Sequence, residues 1–237
     1  MYLLDIHTHS IASGHGSSDT IVELAKTAAA RGLKLLGVSD HAPSTMCAGT
    51  SSYFRGLAMA PRHRMGVELL YGVELNILDY EGRVDLDTVT LSSLDYAIAS
   101  IHRPNLKPGT VCQNTAAYVG AMRNPYVSVI GHCDDAHYPA DYKILVSEAV
   151  RSHVLLEINN SSLSPNGYRG DTRDNVRCIL QLCKAAGHPV LLSSDSHGKS
   201  HVGDFSCIEP LLRECRFPEK LIINHSCAAL KRFLLHE

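Results

Sequence analysis

Seven short apolar runs punctuate the chain: Tyr2–Ile6, Lys34–Val38, Glu68–Leu75, Tyr96–Ile101, Tyr126–Ile130, Val154–Ile158 and Val190–Ser193. Inside each run apolar residues follow one another with little alternation. That is the pattern of strands buried on both faces, as in a parallel sheet flanked by helices. Between the runs the spacing lengthens. Thr20-Ile21-Val22-Glu23 has the capping-box spacing, and the helix it opens passes through alanines to Arg31-Gly32, where glycine ends it. Asp141–Arg151 and Asp174–Gly187 carry apolar residues at three- and four-residue intervals. A last helix is expected from Ser226, with Leu230, Phe233 and Leu234 on one face. Pro43–Pro61, rich in Ser, Thr, Gly and Ala, reads as the longest irregular stretch. Its place after a strand makes it a candidate active-site loop.

Alternation of strand and helix predicts α/β architecture. Seven strand runs suggest a closed or nearly closed barrel, with a doubly wound open sheet as the alternative. No repeat, low-complexity tract or linker interrupts the chain, so residues 1–237 are expected to form a single domain. Barrels of this class reach this length as one domain.

Composition narrows the function classes. The formal charge is -2, with 45% hydrophobic and 19% charged residues. This excludes a disordered chain and argues against a stable nucleic-acid complex held by a basic surface. No run of about 18 apolar residues exists, so no membrane span is expected. The opening Met1–His7 lacks a basic region, and Asp5 breaks its apolar run, so no export signal is expected. The eight cysteines show no Cys-x-x-Cys spacing; reduced thiols in the cytoplasm follow, with Cys178 and Cys183 at helix positions.

Histidine changes the picture most. Its 14 copies outnumber Tyr (10), Phe (4) and Trp (0). Nearly every strand run ends in a potential ligand: His7-Thr8-His9 with His15 soon after, Asp40-His41, Glu74, His102, His132, and Asp195-Ser196-His197. C-terminal strand ends of a parallel α/β protein converge on one face, so these side chains meet in space. Two residues apart, His7 and His9 face the same side. Asp195 and His197 repeat that arrangement. Buried imidazoles and carboxylates are costly unless paired or metal-bound, so this mouth calls for cations. The other histidines are His63, His137, His153, His188, His201, His225 and His236; His137 and His201 lie near mouth segments. Asp40 either orients a ligand histidine or caps a helix.

In this order the constellation resembles the PHP (polymerase and histidinol phosphatase) domain family, over essentially the whole chain. It is most similar to stand-alone bacterial phosphatases of the YcdX type, also through Gly72-Val73-Glu74-Leu75-Asn76, Leu156-Glu157-Ile158-Asn159-Asn160-Ser161-Ser162 and Ser194-Asp195-Ser196-His197. The resemblance implies a distorted seven-stranded (β/α) barrel holding up to three divalent ions, zinc first, with manganese or iron as alternatives. It implies one ion on His7, His9, Glu74 and Asp195. A second would share Glu74 with His102 and His132. A third would sit on His15, His41 and His197. Some relatives are trimers, which implies a homo-oligomer.

Three divalent ions against two carboxylates leave roughly +4, which favours a small anionic substrate such as a phosphate ester. A metal-bound water with its pKa lowered to about 7 is the expected nucleophile. Glu74 and Asp195 are the acidic site residues. Arg103, beside His102, either grips phosphate at the mouth or is a surface arginine. Relatives often carry an acidic residue there, so Arg103 could alter substrate preference. Arg62, Arg64 and Lys199 are weaker candidates. The expected activity is a metal-dependent phosphomonoesterase. Alternatives are a histidinol-phosphate phosphatase, a PHP-type 3′ nuclease, and a non-catalytic phospho-ligand binder. An amidohydrolase is disfavoured because no lysine stands at a strand end.

Overall fold

The computed structural model describes residues 1–165 and 167–235. Its elements run β1 (Leu4–Asp5), α1 (Ile21–Ala30), β2 (Leu35–Val38), α2 (Ser51–Leu57), β3 (His63–Arg64), β4 (Val67–Asn76), α3 (Thr88–Leu91), β5 (Tyr96–Ser100), α4 (Val111–Met122), β6 (Val127–Ile130), α5 (Tyr142–Ser152), β7 (Leu155–Asn159), α6 (Arg173–Ala186), β8 (Val190–Ser193), α7 (Glu209–Glu214) and α8 (Cys227–Leu234). Seven strands pair in parallel in the order β1-β2-β4-β5-β6-β7-β8, and β3 folds back antiparallel on the start of β4. This is the expected (β/α) barrel.

The barrel is nearly closed. Between β1 and β8 the join is a single parallel bridge, Thr8 to Ser196, with His9 N donating to Ser196 O at 2.8 Å. Lower down, buried Asn224 stitches the seam. Its Oδ1 accepts from Leu192 N, and its Nδ2 donates to Leu4 O and Leu192 O. Leu4, Ile6, Leu35, Ile98, Val129, Leu155 and Leu191 fill the interior, joined by Leu230 of α8. The larger core lies between the strands and the outer helices.

Local signals explain most elements. Thr20 and Glu23 form the expected capping box, and Gly32 follows α1 at φ 81°. Asp141 caps α5, Gly187 ends α6 in the left-handed conformation, and Ser226 caps α8. The irregular reading of Pro43–Pro61 is corrected. α2 lies inside it and buries Phe54 and Leu57, two turns being too short to show a period among Ser51, Ser52 and Gly56. β3 and α4 were not anticipated, although Thr110 and Gln113 make a second capping box. No helix among the described residues is long and apolar enough to cross a membrane.

Candidate metal centre

Eight of the nine expected ligands sit at or near the C-terminal end of a strand, and His15 lies further on, past the short helical turn Ile11–Ser13. His7 and His9 follow β1, His41 follows β2, Glu74 lies two residues before the end of β4, His102 follows β5, His132 follows β6, and Asp195 and His197 follow β8. A parallel bridge between His41 and Glu74 sets two of them side by side. Glu74 is the centre. Its Oε1 lies 3.4 Å from His7 Nε2, 3.2 Å from His102 Nε2 and 2.9 Å from His132 Nε2. Its Oε2 lies 2.7 Å from His41 Nδ1 and 3.6 Å from His9 Nε2. Asp195 Oδ1 closes the other side, 3.6 Å from His7 Nε2 and 3.3 Å from His9 Nε2. Two of these positions have left-handed backbone, His132 at φ 28° and Asp195 at φ 53°. Non-glycine residues pay strain there, and such strain concentrates at functional sites.

Three overlapping groups have donor atoms within 4.8 Å of one another and could each hold an ion: His7, His9 and Asp195; His41, Glu74 and His102; and His9, His41 and His197. This grouping differs from the one implied by the resemblance. His9 joins His41 and His197 in the third group. His15 is exposed, stacked at 4.7 Å on the His41 ring and 5.2 Å from that of His197.

Behind the ligands lies a ring of acceptors. His7 Nδ1 donates to Glu157 Oε1 at 2.5 Å. His9 Nδ1 lies 2.9 Å from Ser13 Oγ, whose own hydroxyl donates to Asp40. His102 Nδ1 donates to Asn76 Oδ1 at 2.7 Å, and Asp85 pins Asn76 through its backbone N and Nδ2. An acceptor on Nδ1 fixes the tautomer and leaves Nε2 as a lone pair aimed at the cluster. Asp40 therefore orients a ligand. It accepts from Ser10 N, Ser10 Oγ, Ser13 Oγ and Tyr53 Oη.

The donor set fits divalent cations. His7 Nε2, His9 Nε2, His41 Nδ1, Glu74 Oε2 and His132 Nδ1 are buried without a hydrogen bond, although buried polar atoms are normally satisfied. His41 Nε2 and His197 Nε2 face each other at 3.4 Å. Burial alone would lower the His7 pKa, but Glu157, Glu74 and Asp195 outweigh it and hold it well above the usual imidazole range. His9 is pushed well below that range by burial and by His197 and His41. Burial would raise Glu74, but His102, His41 and His7 hold it well below the ordinary carboxylate value. Asp195 is likewise held low, against burial, by His7 and Arg169. Imidazole with a few carboxylates suits zinc, manganese or iron.

Above the cluster opens a cavity of about 380 Å³ that includes His15, His41, His102, His132, Arg103, Asp135, Tyr168 and Arg169 in its lining. Arg103 thus stands at the mouth. Arg62 pairs with Asp95 at the opposite end of the barrel, Arg64 lines a separate surface groove, and Lys199 pairs with Asp19 and Glu23. Of the remaining histidines, His137 bonds Asp135 at the mouth. His153, His188 and His225 bond carbonyls of Phe233, Val154 and Met1, His63 lies in β3, and His201 sits in an exposed turn. His236 lies outside the described residues. Sequence reasoning assigned no role to Glu157 or Arg169. A charge inside the apolar run Leu155–Asn159 was the available signal for Glu157. Arg169, in a loop, gave none. It is buried, with Nη2 2.9 Å from Asp195 Oδ2.

The family model described as PHP domain matches residues 5–161, which takes in every ligand candidate except Asp195 and His197. A protein named probable phosphatase from Clostridium novyi is 41% identical over 223 residues, 94% of this chain and 90% of that one. Another of that name from Photobacterium profundum is 38% identical over 226 residues, 95% and 91% of the two chains. The crystal structure of histidinol phosphate phosphatase from Lactococcus lactis, complexed with zinc, L-histidinol and phosphate, superposes with a TM-score of 0.62 and 18% identity, over 92% of this chain and 95% of that one. At that identity the likeness is one of fold.

Proposed function

The chain belongs to the PHP domain family, and from that premise we propose that residues 1–237 form one metal-dependent phosphatase unit that hydrolyses phosphate monoesters. One observation carries the reading. Strand ends far apart in sequence aim imidazole lone pairs at a common centre around Glu74 and Asp195, and four of the buried atoms there, His7 Nε2, His9 Nε2, His41 Nδ1 and Glu74 Oε2, lack hydrogen-bond partners. The ligand candidates are His7, His9, His15, His41, Glu74, His102, His132, Asp195 and His197, sufficient for as many as three divalent ions, with zinc favoured. Bound divalent ions supply charge for a phosphate and lower the pKa of water to near 7.

The chain's own residues do the rest. Glu74 reaches toward five imidazoles and holds the groups of the cluster together. Asp195 is kept ionised and oriented by Arg169. Glu157, Ser13 and Asn76 fix imidazole tautomers. The buried floor excludes water from all but the mouth, where Arg103 stands ready for an anion.

Metal analysis of the purified protein, with hydrolysis of an aryl phosphate and of histidinol phosphate in Zn²⁺ or Mn²⁺, tests the reading. Two or three ions per chain with turnover is expected. A protein that retains no ion and hydrolyses neither ester with any metal contradicts it.

A further inference from the structure

Resting on the phosphatase reading, we propose that the site selects phosphate monoesters bearing a second anionic group, a carboxylate or another phosphate, and that Arg103 reads that group. The cavity above the cluster exceeds what a phosphate alone requires and falls in the range of pockets that enclose small ligands. Met46, Cys47, Ile101 and Pro104 make much of its wall apolar. Two guanidinium groups line it, and they differ. Arg169 is buried and committed to Asp195, Ser162 and the Tyr168 hydroxyl. Arg103 is exposed and makes no ion pair or hydrogen bond among the described residues. The acidic residue of the wall, Asp135, does not neutralise it. Its Oδ1 accepts from His137 N and lies 2.8 Å from His137 Nδ1.

Depth assigns the roles. A scissile phosphate belongs at the buried floor, where the imidazoles, the cations they hold and Arg169 meet its charge. Arg103 lies further out, over the part of the substrate that leaves as the alcohol. A guanidinium in a partly apolar mouth binds a carboxylate or phosphate through paired, charge-assisted hydrogen bonds. Tyr168 adds a donor on the same wall, since its oxygen accepts from Arg169 and its own hydrogen remains available.

Three substrates of similar size separate the possibilities: glycerol 3-phosphate, with no second anion; 3-phosphoglycerate, with a carboxylate; and 1,3-propanediol bisphosphate. The kcat/KM of each is measured on the metal-loaded enzyme and on Arg103→Gln and Arg103→Lys, with folding checked by circular dichroism. Wild type should prefer one or both two-anion substrates, and which one it prefers identifies the anion. Arg103→Gln should lose about ten- to a hundredfold more on the preferred substrate than on glycerol 3-phosphate. Arg103→Lys should recover part of that loss. Equal losses on all three would place Arg103 on the scissile phosphate and overturn the proposal, as would no loss on any. Hydrolysis without preference by the wild type overturns this assignment alone, whereas no hydrolysis of any phosphate overturns the phosphatase reading beneath it.

Discussion

Replacing Glu157 by Gln changes almost no volume, yet it should weaken the metal centre. The carboxylate is fully buried and takes four donors. Oε1 accepts from His7 Nδ1 and Ser193 Oγ; Oε2 accepts from His132 N and Asn159 Nδ2. A Gln side chain can keep one of those oxygens only. With its amide toward Oε1, it faces His7 Nδ1 donor to donor, so His7 must take the other tautomer and turn an N–H toward the cluster. With its amide toward Oε2, it faces the His132 backbone N–H, which cannot accept. Either way a ligand on one side of Glu74 is disturbed. Acceptors behind metal-ligating histidines are typically worth ten- to a hundredfold in metal affinity or activity, about 1.4–2.7 kcal/mol. The assay is zinc affinity by competition with a chelator, beside kcat/KM on an aryl phosphate, on protein shown folded by circular dichroism. Both should fall within that range, and excess zinc should restore part of the activity. A variant with wild-type zinc affinity and wild-type turnover would refute the tautomer argument.

Glu74→Gln should cost more than any supporting residue, beyond about a hundredfold in kcat, with a lower metal count, because it removes the carboxylate shared by five imidazoles. Metal content by plasma mass spectrometry checks this. Ser13→Ala removes the acceptor behind His9, together with the hydroxyl's bonds to Asp40 and to His41 N, and should reduce zinc affinity by about tenfold in the same competition assay. Asn224→Ala breaks three buried hydrogen bonds across the β1–β8 seam, worth about 3 kcal/mol together. Thermal unfolding of the variant should shift down by roughly 6–12 °C, at 2–4 °C per kcal/mol for a chain of this size. Protons compete with metal for imidazole nitrogen, so affinity should fall as the pH drops. Dialysis at pH 5 should strip ions that survive dialysis at pH 7.5.

The barrel was legible because its strands are buried on both faces, and continuous apolar runs such as Val190–Ser193 carry that burial directly in the sequence. The ligand positions were legible for a related reason: a parallel barrel turns strand ends into a common face. What lay beyond reach depends on contacts between distant segments. The seam at Asn224 sits 32 residues from Leu192 and 220 from Leu4. Arg169 reaches Asp195 from a loop with no periodicity. The placement of His9 beside His41 and His197, with His15 outside the group, follows from ring positions that spacing alone does not determine. α2 failed to register because seven residues that include two serines and a glycine carry too little period.

Zinc titration of metal-stripped protein, with phosphate ester hydrolysis followed at each addition, addresses the centre most directly. Activity should be absent without metal, return with two or three equivalents and then level off. Full hydrolytic activity in the stripped protein, or none at any metal loading, would contradict a catalytic metal centre.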